Sequence, residues 1–561
     1  MKNKIYYNII NLVRYFYSEF VFEQLLSTLG NQPKCPLQEE EFLENNITEE
    51  RHEPSINPWF VTIPLVTAAF LFALNETIAN VALPYIAGTI SISRNESTWI
   101  VTSYLVASSI IIPAIGYLCK VFGRKKYFIF SIILFIVASL LCGLSRSMPM
   151  IVISRFLQGI GGGAILPLVQ AIMMEIFPQK EWGKAMSLYG FAFVIAPIVG
   201  PVIGGWLTEN WSWPWIFLIN APVGLVCAVS LVKLIKDPPY AKKQANAKMD
   251  FFALGMLVVW ILLLQVVLDK GNDAGWFDAS WVCWLMGIST TAGILFFYTQ
   301  FKNKKDPLLD LRLLKNLNFL FGTLIQMVLL FVLIASAMLL PSMLQGLMGY
   351  TAFLGGVSMI PRGIGSLAGL IILVTVTGKV PEKISCFIGL VLIGIGGLLF
   401  GLLNMQISLA NIFLPNFLYG TGMVMSMTPV INLSCATLKK EDLTMGSSMQ
   451  NLMKNLGASF GTSIATTCIS RFSQMHQNMM VGYLNDLNPV FAERVHNATM
   501  HMAQYTDINT AHYMALNQMH FALLEQSTLW AFIDTFRIFA LASFVIIPLL
   551  LLMKEVVNKQ N

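Results

Sequence analysis

The sequence predicts an all-α integral membrane protein with fourteen transmembrane helices, and three observations predict it. Hydrophobic residues make up 56% of the 561 and charged residues only 12%, against roughly 25% charged in an average soluble domain. The apolar residues gather in runs of about 20 or more, the length that crosses a bilayer as a helix. The basic residues between these runs are concentrated on alternate connections, as the positive-inside rule requires. A soluble enzyme is excluded, because 36 basic and 30 acidic residues cannot cover a water-facing surface of this size.

The runs lie at approximately 59–80, 98–118, 127–145, 150–172, 185–207, 214–235, 251–269, 280–301, 317–340, 352–377, 384–403, 408–430, 451–470 and 528–553. Ahead of them, residues 1–57 form a cytoplasmic extension. Ile5, Ile9, Val13, Phe16 and Phe20 give its start an amphipathic pattern, read either as a helix lying on the membrane or as a dispensable tail. Arg14, Glu19 and Glu23 interrupt any signal-peptide core. An even number of spans puts both termini on one side. With the N-terminus inside, 22 lysines and arginines fall in inner loops and tail, and only Arg94, Arg146, Lys270, Arg471 and Arg494 fall outside. The formal net charge of +6 is therefore an inner-face excess facing anionic lipid, with no independent sign of nucleic-acid binding.

Charges inside the hydrocarbon region are costly and mark functional sites by default. They are Glu76 in span one, Arg155 in span four, Arg362 in span ten, Lys454 in span thirteen, and Asp534 with Arg537 in span fourteen. Glu76 is the first candidate for a proton-coupling carboxylate; the competing reading locks it in a structural pair with Arg155. Asp534 and Arg537, three residues apart, read as a local ion pair. In span five Ala196, Gly200 and Gly204 bare one face for a close helix contact, and Pro197 and Pro201 remove backbone donors. Gly159, Gly161, Gly162 and Gly163 thin span four in the same way.

Between spans thirteen and fourteen lies an outer loop, 471–527, that holds His476, His496, His501, His512 and His520. Its spacing matches no metal-ligand template, and a docking or hinge role is expected for it. The eight cysteines form no CxxC pair, and no GxxxxGK[ST] phosphate loop occurs. No metal and no cofactor are expected.

From about 58 to 553 the chain resembles the fourteen-span drug:proton antiporters of the major facilitator superfamily, of the EmrB/QacA type. The resemblance rests on LNETIANVALP (74–84), WIVTSYLVA (99–107), GYLCKVFGRKK (116–126), RFLQGIGGGAILP (155–167), APIVGPVIGG (196–205), DKGNDAGWF (269–277), DPLLDLRLL (306–314), GYTA (349–352) and PRGIG (361–365), in that order. It implies two six-helix bundles, at 58–235 and 317–553, with two inserted helices in 236–316 and a tail from 554. It implies an antiporter motif at Pro197, Gly200, Pro201, Gly204 and Gly205, and proton coupling at Arg155. A basic-loop latch falls on Gly116, Gly123, Arg124 and Lys125. Three positions depart from the family. Asn75 stands where an Asp is usual, with Glu76 beside it and about 100° away around the helix, so either Glu76 takes over the role or the coupling is altered. Lys120 replaces the latch acid. Asn451 and Lys454 stand where an Asn and Arg are common, and together with Arg362 they are secondary candidates.

The reading is a proton-driven multidrug efflux transporter of the inner membrane, not an enzyme, exchanging small amphipathic drugs for protons by alternating access. The resemblance also implies a periplasmic adaptor protein and an outer-membrane channel as partners in a Gram-negative source. A dedicated metabolite, siderophore or fatty-acid exporter of the same fold, and a transport-inactive sensor or scaffold, are the alternatives.

Overall fold

The computed structural model describes residues 57–554 except 93, 98, 236–249, 303–306, 378 and 486. The N-terminal extension up to residue 56 lies outside the described residues, and so does its expected amphipathic helix. Every regular element among the described residues is helical. In the first half these are α1 (Pro58–Ile90), α2 (Trp99–Phe122), α3 (Arg124–Gly143), α4 (Met148–Gly163), α5 (Ile165–Ile176), α6 (Trp182–Asn210) and α7 (Asn220–Leu234). Two helices follow, α8 (Phe251–Lys270) and α9 (Ser280–Lys302). Then come α10 (Leu317–Met348), α11 (Ile360–Val376), α12 (Glu382–Phe400), α13 (Leu409–Cys435), α14 (Leu443–Val481), α15 (Pro489–Met502) and α16 (Ile508–Val545).

Several helices start where a side chain replaces a missing backbone partner. Asn57 Oδ1 accepts from the Trp59 amide at 3.0 Å, with Pro58 in the first turn of α1. Asp250 and Asp507 cap α8 and α16 by accepting from Ala253 N at 2.9 Å and Thr510 N at 3.0 Å. Such a cap satisfies an orphan donor and is worth about 1 kcal/mol.

Among the described residues, eleven helical stretches are long and apolar enough to cross a bilayer by length and composition, against the expected fourteen. The stretches of expected spans five, twelve and thirteen are nevertheless helical, as α6, α13 and α14 of 29, 27 and 39 residues. Amides and hydroxyls account for the difference in α13 and α14, where Asn416, Thr421, Ser426, Thr428, Asn432, Gln450 and Asn451 are buried against other helices instead of facing lipid. Residues 471–527 also differ from a loop. They are mostly helix: the end of α14, α15, and the start of α16, packed on one another. A helix with a polar face carries no long apolar run, and the hydropathy of the sequence therefore does not mark it.

The packing order repeats. In the first half α1 lies on α6, and α2 and α3 lie on α4; in the second, α10 lies on α14, and α11 and α12 lie on α13. Glycines set these crossings, because without a hydrophobic drive in lipid the helices gain most by close backbone approach. A Cβ on Gly161 of α4 would stand 2.6 Å from Phe135 N and 2.8 Å from Ser131 O of α3. Both are backbone atoms, and the crossing cannot yield without parting the helices. Gly161→Val is expected to destabilise the purified protein by more than the roughly 1–3 kcal/mol of ordinary overpacking. Gly287→Ala in α9, where nothing lies within 4 Å, leaves thermal unfolding unchanged or slightly raised. Equal melting of the two variants would contradict this packing.

Candidate functional site

Arg155 is fully buried in α4 and joined to three other helices. Its Nε donates to the Ile100 carbonyl of α2 at 3.0 Å, its Nη1 to Gln158 Oε1 at 2.8 Å, and its Nη2 to the Asn75 carbonyl of α1 at 3.5 Å. The guanidinium lies 4.2 Å from the centre of the Tyr104 ring and 5.5 Å from that of Phe217. Gln158 extends the cluster: its Nε2 donates to Asn75 Oδ1 at 3.1 Å and to Ser139 Oγ of α3 at 2.6 Å. The charge is thus held by carbonyl oxygens and ring faces and makes no ion pair among the described residues. That arrangement suits Arg, whose planar fork can donate in several directions and stack at once.

Asn75, at the position where the family has an acid, turns into the Arg155 cluster and is fully buried. Glu76 is not hydrogen-bonded into that cluster. It is half-buried and makes no hydrogen bond or ion pair among the described residues. Two cations act on it electrostatically, Arg155 from its own half and Lys454 from the other. Lys454, in α14, is 2% exposed. Its Nζ has no hydrogen-bond partner among the described residues and lies 5.7 Å and 5.5 Å from the ring centres of Tyr189 and Phe193 on α6. The sequence places Glu76 and Lys454 far apart; the fold sets one in each half, within electrostatic reach across the seam.

Around Lys454 the seam is polar. Gln170 Nε2 of α5 donates to Gln450 Oε1 of α14 at 2.5 Å, Asn451 Nδ2 to Gln170 Oε1 at 3.3 Å, and Ser447 Oγ to the Pro167 carbonyl at 2.9 Å. Arg362 lies apart from this group. It is buried in α11, with Nε donating to Asn416 Oδ1 at 3.1 Å, Nη1 to Ser336 Oγ at 3.2 Å, and the Tyr419 ring centre 4.8 Å away. It is a second arginine held by a polar neighbour and a tyrosine face instead of a carboxylate.

The glycine–proline stretch of α6 packs beside Glu76. Gly200 faces Thr77, and a Cβ on Gly204 would stand 2.8 Å from Ile78 Cγ1, so α6 and α1 touch within two residues of the carboxylate. Gly205 is half-buried, and α6 runs unbroken as helix through Pro197 and Pro201.

The basic loop splits into two parts. Gly123, with φ +85°, opens α3 in a backbone conformation that suits glycine. Arg124 forms an ion pair with Glu175 within the first half, and Lys125 is half-buried beside it. Gly116 reaches the other half: a Cβ there would be 2.7 Å from Met445 Cε of α14. Lys120, which replaces the latch acid, acts on Asp310 ahead of α10. Asp310 accepts from Arg312 Nε and Nη2, both at 2.8 Å, and from the Arg312 amide at 3.0 Å. Burial by itself pushes the Asp310 carboxyl up, but the Arg312 hydrogen bonds and the charges of Arg312 and Lys120 outweigh it and hold the group below its ordinary range.

Residues 65–462 match the Major Facilitator Superfamily. The chain belongs to the Major Facilitator Superfamily. It is 30% identical over 501 residues to the probable multidrug resistance protein EmrY of Escherichia coli (strain K12), covering 88% of this chain and 94% of that one. The multidrug export protein EmrB of the same strain is 32% identical over 443 residues, covering 76% and 83%. The crystal structure of the human organic anion transporter MFSD10 (TETRAN) shares the fold, with a TM-score of 0.55 over 88% of this chain and 100% of that one at 13% identity.

As a Major Facilitator Superfamily protein the chain has cluster members that the motif reading passed over. Gln158 was within reach of it, since a glutamine three residues after Arg155 shares its helix face. Gln170, Gln450, Tyr104 and Tyr189 carry no such signal, because each gains its partner from a distant segment.

Two outcomes are expected. Gln158→Leu strands a buried guanidinium nitrogen and Asn75, and should destabilise the protein by about 3 kcal/mol, with Gln158→Glu restoring an acceptor and most of the loss; thermal unfolding of the two variants decides it. The folded pKa of Asp310 lies below its unfolded one, so its contribution is complete above the unfolded value of about 3.9. It is lost as pH falls through the folded value. The melting difference between parent and Asp310→Asn should therefore be full at pH 7 and shrink in acid below about pH 4.

Proposed function

We propose that this Major Facilitator Superfamily protein is a proton-coupled multidrug exporter of the inner membrane. In this reading both termini are cytoplasmic, and the more polar helices α6, α13 and α14 cross the bilayer with the other eleven spans. The observation that carries the reading is Glu76: a carboxylate in the middle of a membrane helix, without a hydrogen bond or ion pair among the described residues, between a cation of each half. Both cations favour the charged form of this group against the cost of its burial. When the halves separate and Lys454 withdraws, a proton becomes the cheapest replacement for the lost positive charge, and when they close again that proton is released.

Protonation from the outer side would accompany drug release, and the next closure would return the proton to the cytoplasm. A proton entering down the membrane potential brings about 2.3 kcal/mol per 100 mV, enough for roughly a 40-fold substrate gradient. The substrates would be small amphipathic drugs, in keeping with the names of the EmrY and EmrB relatives. Arg155 would keep α1 and α4 moving as one body. Gly200, Gly204 and Gly205, with Pro197 and Pro201, would hold α6 against α1, while Gly116, Gly123, Arg124 and Lys125 would close the cytoplasmic face. The helical layer of 471–527 would stand on the outer side, where a periplasmic adaptor leading to an outer-membrane channel would dock.

Dye efflux from proteoliposomes under an imposed pH gradient tests the coupling. Glu76→Gln is expected to lose gradient-driven efflux at least tenfold while dye exchange across equal pH persists. Efflux equal to the parent under the gradient would sink the assignment to Glu76.

A further inference from the structure

The two inserted helices, and the DKGNDAGWF stretch that ends the first of them, take no part in the coupling reading. Their hydrogen bonds point to a separate task. Asp269, near the end of α8, accepts from Thr102 Oγ1 of α2 at 2.8 Å and from Gln265 Nε2, one turn earlier, at 3.2 Å. Gln265 in turn accepts at Oε1 from Ser459 Oγ of α14 at 2.8 Å. An unbroken polar chain therefore runs from α2 in the first half, through the inserted helix, to α14 in the second.

A second bond reinforces it. Beyond α8 the backbone turns through Gly275 at φ +74° and Trp276 at φ +59°. The left-handed conformation is unfavourable for a bulky residue, and it aims the indole so that Nε1 donates to Thr467 Oγ1 of α14 at 3.0 Å, two turns beyond Ser459.

The place of these bonds matters. Near its C-terminal end α2 touches α14 directly, Gly116 against Met445 near the start of α14. Near its N-terminal end, at Thr102, α2 is tied to α14 by way of α8. Direct contact at one end and a bridging helix at the other is the geometry of two antiparallel helices splayed about a spacer. Hydroxyl-to-carboxylate bonds are among the stronger hydrogen bonds, and with Gln265 and Thr102 buried a partner lost from this relay is costly to replace.

We propose that α8 is a tie between the two halves, and that Asp269, acting through Thr102 and Gln265, is a positioning residue that sets how far α2 and α14 part at this end. The inference rests on the transport reading for its purpose, since it would balance the outward-open and inward-open states. The tie itself can be measured without transport.

Hydrogen–deuterium exchange of the full-length protein in lipid nanodiscs reads it. Thr102→Val removes a hydroxyl that does not touch α14, yet exchange of residues 459–471 is expected to rise roughly tenfold, the equivalent of one charge-assisted hydrogen bond. Asp269→Ala should raise exchange at both 99–106 and 459–471, and Trp276→Phe at 459–471 alone. In proteoliposomes Thr102→Val and Trp276→Phe should change the maximal rate several-fold with KM unaltered. A merely local role for Asp269 would loosen α8 and leave α14 as it was. Unchanged exchange at 459–471 in Thr102→Val and Trp276→Phe would overturn the tie, and those two variants decide it even where Asp269→Ala does not fold. If the parent moves no dye, the transport reading fails while the exchange result still stands.

Discussion

The arrangement of the first half depends on a buried arginine that has no carboxylate. Removing a guanidinium from water costs several kcal/mol even after relaxation, and Arg155 recovers it from the Ile100 and Asn75 carbonyls, Gln158 and two aromatic faces. Those partners come from α1, α2, α4 itself and the short helical turn that holds Phe217, so the arginine is satisfied only when α1, α2 and α4 are in place together. A carboxylate partner would have met most of that need from a single helix. Because the cluster consumes Asn75 and leaves Glu76 outside it, the charge that holds the bundle is separated from the charge that is free to change.

The second half repeats the solution with other residues. Arg362 of α11 lies over Tyr419 of α13, as Arg155 of α4 lies over Tyr104 of α2. The two pairs join equivalent helices, the second and fourth of each half, but the arginine and the tyrosine have changed places. Between the halves the contacts are of another kind. Amides meet amides at Gln170, Gln450 and Asn451, and a bare glycine meets a methionine at Gly116. Neutral hydrogen bonds and flexible thioether packing can be broken and remade at lower cost than buried ion pairs. Rigid arginine clusters inside each half and a softer seam between them are what a rocking mechanism requires.

Much of this was legible in the sequence, for local reasons. The membrane class, the helices and their approximate limits follow from apolar runs, and Gly200, Gly204, Gly159 and Gly161 mark close crossings because a missing side chain leaves its trace in the chain itself. The polar helices of 471–527 were not legible, since α15 and the ends of α14 and α16 have neither an apolar run nor a motif. The surroundings of Lys120 were not legible either, since Asp310, the carboxylate it acts on, lies about 190 residues away.

Composition and periodicity by themselves determined that this chain is a helical membrane protein, and the order of its motifs carried the resemblance to the Major Facilitator Superfamily that the family match bears out. Only the tertiary structure decided what the few charges within the apolar runs do to one another. Asn75 and Glu76 are neighbours in the chain, yet Asn75 is hydrogen-bonded into the Arg155 cluster while Glu76 makes no hydrogen bond among the described residues and feels both Arg155 and, across the seam, Lys454. The physical reason is that helix formation depends on interactions within a few residues, while the environment of a buried charge depends on groups brought to it from hundreds of residues away.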